Sequence, residues 1–310
     1  MQQITDTILM IRPVAFRMNE ETAVNNYFQE DLDIKNTEIN TRAQKEFDDF
    51  VDKLRSVGVR VIVEDDPPEM DTPDSIFPNN WVSFHSSGTV GLYPMFAVNR
   101  RRERREEIMD RLEAEGFIIE GYMDYTSAEE EGVFLEGTGS ILMDRENQIA
   151  YCALSPRAHE ELFIEFCEDF ECDPVVFTAY QTVDGQRLPI YHTNVMMALA
   201  EHFAVICLDS IDDKQEKKLV KKRLKESGKE ILDITEEQMH CFAGNMLQVG
   251  TTTGEKYMVM SKAAHESLRK DQISLIEKYC SILSSDLTTI ETAGGGSARC
   301  MMAEVFLPRS

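Results

Sequence analysis

The sequence predicts an α/β fold in one domain spanning residues 1–310, built from five similar units set in a closed ring. Three observations lead there. A helix pattern followed at once by a short apolar strand occurs five times, with helices ending near residues 56, 115, 170, 227 and 283. The period is about 55 residues, the length scale of repeated architectures. Each unit is followed by a loop and an apolar hairpin, and the last apolar run has only the N-terminal strand left as a partner. Such closure removes free sheet edges.

Taken in order, Thr7 to Arg12 reads as a buried strand stopped by Pro13. Apolar residues at helical spacing mark a helix over 43–56, Gly58 ends it, and 59–63 is a strand. The first hairpin is Trp81 to Phe84 with Thr89 to Tyr93. A helix over 104–115 stops at Gly116, and Phe117 to Glu120 follows as a strand. The second hairpin pairs 140–143 with 149–153, and the next unit is a helix over 160–170 with a strand from Pro174. A third hairpin, 194–197 with 204–208, precedes a helix over 214–227, Gly228 and a strand from Glu230. A fourth, 245–249 with 257–260, precedes a helix over 271–283 and a strand over Leu287 to Glu291. The final strand begins at Cys300 and pairs with the N-terminal one.

Lys plus Arg number 32 against 56 Asp plus Glu, for a net charge of −24. That charge excludes nucleic acid and anionic membrane as partners. The N-terminus lacks a signal-peptide pattern and no run is long enough to span a membrane. Seven scattered cysteines, with no CxxC and no zinc spacing, read as free thiols in a reducing cytoplasm. His85, His159, His202, His240 and His265 show no ligand spacing, so no metal is expected. The lysine-rich stretch from Lys217 reads as an exposed helix face, and Arg12 and Arg299 as structural ion pairs.

Polar residues recur at one phase of the repeat. Asn80, Glu136, His192, Asn245 and Cys300 follow one another at intervals of 56, 56, 53 and 55 residues, each where a loop enters a hairpin strand. In a ring, equivalent positions face one axis, so a carboxylate, an imidazole, amides and a thiol converge in a central pocket. Cys300 follows three glycines, Gly294 to Gly296, which allow a tight path with amide groups turned toward a ligand. The competing reading of Cys300 is a buried core thiol. Asn245 also fits an ordinary Gly-Asn turn.

Five motifs carry a family resemblance: Asp74-Ser-Ile-Phe-Pro-Asn-Asn80, Leu135-Glu-Gly-Thr-Gly139, His192-Thr-Asn194, Phe242-Ala-Gly-Asn-Met246 and Gly294-Gly-Gly-Ser-Ala-Arg-Cys300. In this order and spacing the chain resembles the guanidino-group-modifying superfamily of arginine deiminases, amidinotransferases and dimethylarginine dimethylaminohydrolases. Within it the chain looks most like the citrulline utilisation hydrolases. The resemblance implies the pentein fold, a five-bladed α/β propeller of pseudo-fivefold ββαβ repeats. It implies Cys300 as nucleophile, His192 as general acid and base, and Glu136 as the carboxylate orienting His192. Asn80 and Asn194 fall where arginine-processing relatives grip the guanidinium with acids. Asp74, Phe77 and Asn79 match substrate-lining positions, and Arg100 and Arg157 match arginines that hold the substrate's α-carboxylate.

Both gripping positions are amides here, and an amide donates as well as accepts but carries no charge. That suits a neutral ureido group, so citrulline is the expected substrate, cleaved to ornithine, ammonia and carbon dioxide without metal or organic cofactor. Two alternatives stay open. One is a hydrolase or amidinotransferase acting on arginine, methylated arginine or succinylarginine; the other is a ligand-binding pentein without turnover. The implied partner is a small amino acid, and a homodimer stays open.

Overall fold

The strand Thr7–Arg12 sits in the middle of a three-stranded sheet that joins the two ends of the chain. In this computed structural model, which describes residues 2–310, it pairs antiparallel with Ala303–Glu304 (Leu9 opposite Ala303) and parallel with Arg60–Asp65. Four more sheets repeat that plan. Their inner, middle and outer strands are Val82–Phe84, Thr89–Leu92 and Gly121–Asp124; then Ile141–Asp144, Ile149–Leu154 and Asp173–Thr178. The remaining two sets are Met197–Leu199, Phe203–Ile206 and Glu230–Asp233, then Leu247–Gly250, Lys256–Ser261 and Ser281–Ser285. In every sheet the inner and middle strands are antiparallel, and the outer strand returns parallel after a helix. Neighbouring inner strands touch: 303–304 lies against 82–84, and 197–199 against both 141–144 and 247–250. This is the ββαβ pentein arrangement expected from the sequence.

The helices connecting middle to outer strands form for amphipathic reasons. Helix Asn36–Ser56 buries Ile39, Ala43, Phe47, Phe50, Val51 and Leu54 on one face, and Gly58 leaves it in the left-handed region at φ 91°. Helix Lys214–Glu226 buries only Val220 and Leu224; the Asp213 side chain caps it, and its lysines face solvent. Among the described residues no helix is long and apolar enough to cross a membrane. All seven cysteines are free thiols. Arg12 pairs with Asp48 and Arg299 with Glu304.

The structure departs from the expected elements in several places. Phe117 and Ile118 do not join their sheet, because the C-terminal tail pairs with them instead. Phe117 bridges Arg309, the Ile118 amide donates to the Pro308 carbonyl at 2.8 Å, and the outer strand starts at Gly121. The last connecting helix ends at Glu277, and Ser281–Ser285 is the strand. Leu287 to Glu291 is helical instead, within Thr288–Gly294. Asp286 receives the Thr288 amide and Glu46 receives those of Thr289 and Ile290, so carboxylates satisfy that helix's free N–H groups. Residues 193–196 form a helical turn before the inner strand, and Cys300 lies in a turn ahead of a strand only two residues long. A hairpin, Tyr180–Val183 with Gln186–Pro189, is added outside the repeat.

Candidate active site

Each polar residue of the repeat stands at the mouth of an inner strand, where a short turn bends the chain inward. Glu136 precedes the helical turn Gly137–Ser140, His192 precedes Thr193–Met196, and Asn80 ends the turn Pro78–Asn80. Asn80, Glu136, His192, Asn194, Asn245 and Cys300 are all at most 3% exposed. Buried polar groups must find partners, and those partners define the site.

Glu136 Oε2 lies 2.7 Å from His192 Nε2, and its Oε1 accepts the Phe96 amide at 2.9 Å. Arg157 Nη1 stands 3.6 Å from the same Oε2. Burial works against the Glu136 charge, but Arg157 and the hydrogen bond to His192 outweigh it and hold the carboxyl down near about 2. Burial dominates at His192 and pulls it to about 4, although Glu136 acts to raise it. The imidazole is therefore neutral near pH 7. With Nε2 turned to the carboxylate, Nδ1 is left for proton transfer. The glycine after Thr138 allows this packing: a Cβ on Gly139 would sit 2.5 Å from Asn80 Nδ2 and 2.9 Å from His192 Nδ1.

Two amides converge on the sulfur. Asn194 Nδ2 lies 3.4 Å and Asn245 Nδ2 3.1 Å from Cys300 Sγ. Asn245 Oδ1 also accepts the backbone amides of Arg299 and Cys300, at 3.1 and 3.4 Å. Asn245 therefore holds both the sulfur and the backbone of Cys300, which a mere turn asparagine would not do. Asn194 Oδ1 is buried with no partner.

The residues expected to hold substrate divide into two groups. Asp74, Asn79 and Asn194 each keep one buried polar atom unpartnered: Asp74 Oδ1, Asn79 Nδ2 and Asn194 Oδ1. Asp74 Oδ2 accepts Asn19 Nδ2 at 2.8 Å, and burial raises its carboxyl above the usual range despite Arg100. The other group is engaged by the protein. Arg100 gives Nε and Nη2 to Glu103, Nη1 to Asn80 Oδ1 at 2.7 Å, and Nη2 again to the Phe77 carbonyl. Asn80 Nδ2 in turn donates to Asn79 Oδ1. Arg157 gives Nε and Nη2 to Asn25 Oδ1, gives Nη2 also to the Thr22 carbonyl, and stacks 4.9 Å from the Tyr191 ring centre. So neither arginine presents an empty fork for a carboxylate, and the Asn80 oxygen is occupied. In this arrangement Arg100, Arg157 and Asn80 brace the site, and Arg157 Nη1, 3.6 Å from Glu136, carries no hydrogen bond among the described residues.

The three glycines serve close packing. A Cβ on Gly294 would meet the Phe77 and Phe16 rings at 2.9 and 3.0 Å, and one on Gly296 would meet Phe77 at 2.8 Å. Gly295, at φ 60°, closes helix Thr288–Gly294 by donating its amide to the Glu291 carbonyl. The expectation of amides turned toward a ligand is thus corrected. It is the carbonyls that are offered: Gly294 O accepts from Asn26 and Gln29, and Gly295 O from the Tyr191 hydroxyl at 2.6 Å.

Asn26 and Gln29 belong to a covering segment, Asn19–Gln29, that the repeat does not reveal. Asn19 and Thr22 reach Asp74, Asn25 reaches Arg157, and Asn26 and Gln29 hold the glycine carbonyls. Its only sequence signal is a density of short amides, Asn19, Asn25 and Asn26, suited to turns and backbone capping.

Residues 12–307 match the family profile described as N,N dimethylarginine dimethylhydrolase, eukaryotic. The chain belongs to this family. With it the chain joins the pentein superfamily of guanidino-modifying enzymes. Among solved structures, this family member superposes on ArgZ, an arginine dihydrolase of the cyanobacterial ornithine-ammonia cycle. The TM-score is 0.74 at 16% identity, covering 98% of this chain and 41% of that one. AgrE in complex with ornithine and NAD+ gives 0.72 at 17%, covering 98% and 40%. A dimethylarginine dimethylaminohydrolase adduct with S-methyl-L-thiocitrulline gives 0.64 at 14%, covering 97% and 99%. At these identities the likeness concerns the fold, and the chain spans about two fifths of the ArgZ and AgrE chains. A search of curated proteins returns no match.

Proposed function

We propose that the chain is a single catalytic domain that hydrolyses the ureido group of citrulline to ornithine, ammonia and carbon dioxide. The observation carrying this reading is the pair of carboxamides on the nucleophile, Asn194 and Asn245, at 3.4 and 3.1 Å from Cys300 Sγ. A buried guanidinium calls for carboxylates at that place. Neutral N–H donors suit a carbonyl-like oxygen that turns negative when the thiolate attacks. Asn194 Oδ1, without a partner, is available for a ureido N–H.

Neutral His192 takes the Cys300 proton, and the thiolate attacks the ureido carbon. The imidazolium, held by Glu136, returns the proton to the departing nitrogen. Water activated by His192 then cleaves the Cys300 thioester-like intermediate, and the carbamic acid formed breaks down to ammonia and carbon dioxide. Cys300, His192 and Glu136 carry this chemistry from residues of the chain.

A second reading has its own support. Asp74 Oδ1 is a buried carboxylate oxygen with no partner, which suits the N–H of a cationic guanidine, and family membership fits a methylated arginine. The test is to incubate purified protein with citrulline, arginine, dimethylarginine and succinylarginine and to measure ornithine, citrulline and ammonia. Ornithine and ammonia from citrulline are expected. Citrulline accumulating from arginine or dimethylarginine would replace this reading with the second.

A further inference from the structure

Behind the catalytic residues, where the inner strands converge, lies a cavity of about 20 Å³ lined by Arg145, Arg299, Glu304, Gln3, Thr138 and Met246 among others. Arg145 is 5% exposed. Its guanidinium stacks 4.0 Å from the Phe306 ring centre, yet among the described residues no protein acceptor or carboxylate pairs with it. The nearby carboxylate is already committed: Glu304 Oε2 lies 2.8 Å from Arg299 Nη2. Arg299 Nη1 goes to the Met302 carbonyl, and its Nε–H has no acceptor among the described residues.

Two cations and one carboxylate leave a net charge of +1 around a small, partly open cavity. Burying a charge without full compensation is unfavourable, as it is when one partner of a buried ion pair is removed. Burial acts to lower the Arg145 pKa, with Glu304 opposing, so the site is uncomfortable for the cation it contains. The whole chain is strongly acidic, at −24, so an unpaired arginine kept from those acids is a built feature. A volume of this size admits one water-sized or slightly larger species, which excludes phosphate esters and nucleotides.

We propose that this cavity binds a small monovalent anion of halide size between Arg145 and Arg299. The anion supplies the missing charge and receives the free N–H groups. The site adjoins the chemistry through the backbone, since Arg299 precedes Cys300 and its amide is held by Asn245. Thr138, on the cavity wall, donates to the Asn79 carbonyl at 3.2 Å.

The test uses protein exchanged into sodium gluconate at fixed ionic strength and titrated with chloride, bromide, formate or bicarbonate while Tm is read. A saturable rise of about 2–4 °C is expected with the halides, and none in Arg145→Met, which keeps an unbranched side chain over Phe306. Independently of that variant's folding, a bromide-soaked crystal of the unaltered protein should show an anomalous peak between Arg145 and Arg299. A rise that never saturates and is equal in the variant, or a crystal without that peak, overturns the proposal. Saturation by formate or bicarbonate alone overturns the halide-sized assignment.

Discussion

Two regions meet at Cys300, and they are held by different forces. The floor carries Glu136, His192, Asn245 and Cys300 at the mouths of inner strands, each continued by backbone pairing in its own sheet. The cover, Asn19–Gln29, takes part in no sheet and is tied by side-chain hydrogen bonds to Asp74, Arg157 and the glycine carbonyls. A bond to a neutral glycine carbonyl contributes a net of about 0.5–1.5 kcal/mol, and one to the charged Asp74 or Arg157 about 1.5–3 kcal/mol, because water replaces it when it breaks. Cys300 is 3% exposed, so the proposed hydrolysis requires this cover to open for substrate. Ladders hold the floor and side-chain contacts hold the cover, consistent with stability being uneven across a fold.

Changes to the floor should produce the largest effects and leave the fold intact. Cys300→Ser is expected to lower kcat by about 10³-fold or more with Tm little changed; activity close to wild type would remove Cys300 from the mechanism. His192→Ala should cost about 10²–10⁴-fold, measured as ornithine release. Acid tests the same pair. The unfolded chain protonates histidine near 6.5, whereas folded His192 does so near about 4. Stability is therefore lost as pH falls through that window, by up to about 3 kcal/mol. Glu136 adds a loss of the same sign between the usual glutamate value and about 2. Glu103 and Glu291, raised by burial to about 7, act with the opposite sign over the same window. The check therefore compares urea midpoints at pH 7 and 4.5 in the unaltered chain and in His192→Gln; the same pH dependence in both would contradict the buried neutral imidazole.

Where floor and cover touch, the effects should be smaller. Gly296→Ala pushes a methyl into Phe77, whose ring would lie 2.8 Å away, and should cost about 1–3 kcal/mol. Phe77→Leu in the same chain should recover part of it; no recovery would place the strain elsewhere. The smallest effect belongs to the cover alone. Asn26→Ala removes bonds to Gly294 and Gly295 and should cost about 1 kcal/mol, with faster proteolysis within residues 19–30. Unchanged proteolysis would mean that the cover does not open at that end.

The difference between floor and cover also explains what the sequence made legible. A five-fold repeat writes its period into helix stops and strand entries, so the ring closure and the set Asn80, Glu136, His192, Asn245 and Cys300 could be read from spacing. The helix over 288–294 was not legible. Its N–H groups are satisfied by Glu46, far away in the chain, and Thr-Thr-Ile has strand propensity that this tertiary contact overrides. Residues 117–118 were misplaced for a similar reason, being captured by the C-terminal tail. Arg100 and Arg157 look like ligand forks in sequence, because nothing there shows that Glu103 and Asn25 stand against them. The cover left almost no trace, since its bonds join residues with no periodic relation.

The pairing of Thr7–Arg12 with Ala303–Glu304 has a consequence for assembly. Thr7–Arg12 is synthesised long before Ala303–Glu304, so its sheet is completed only after the other four sheets have been made. The thiol arrives with that closing strand. A chain synthesised only part-way can carry Glu136 and His192, but Cys300 meets Asn194 and Asn245 only as the ring shuts.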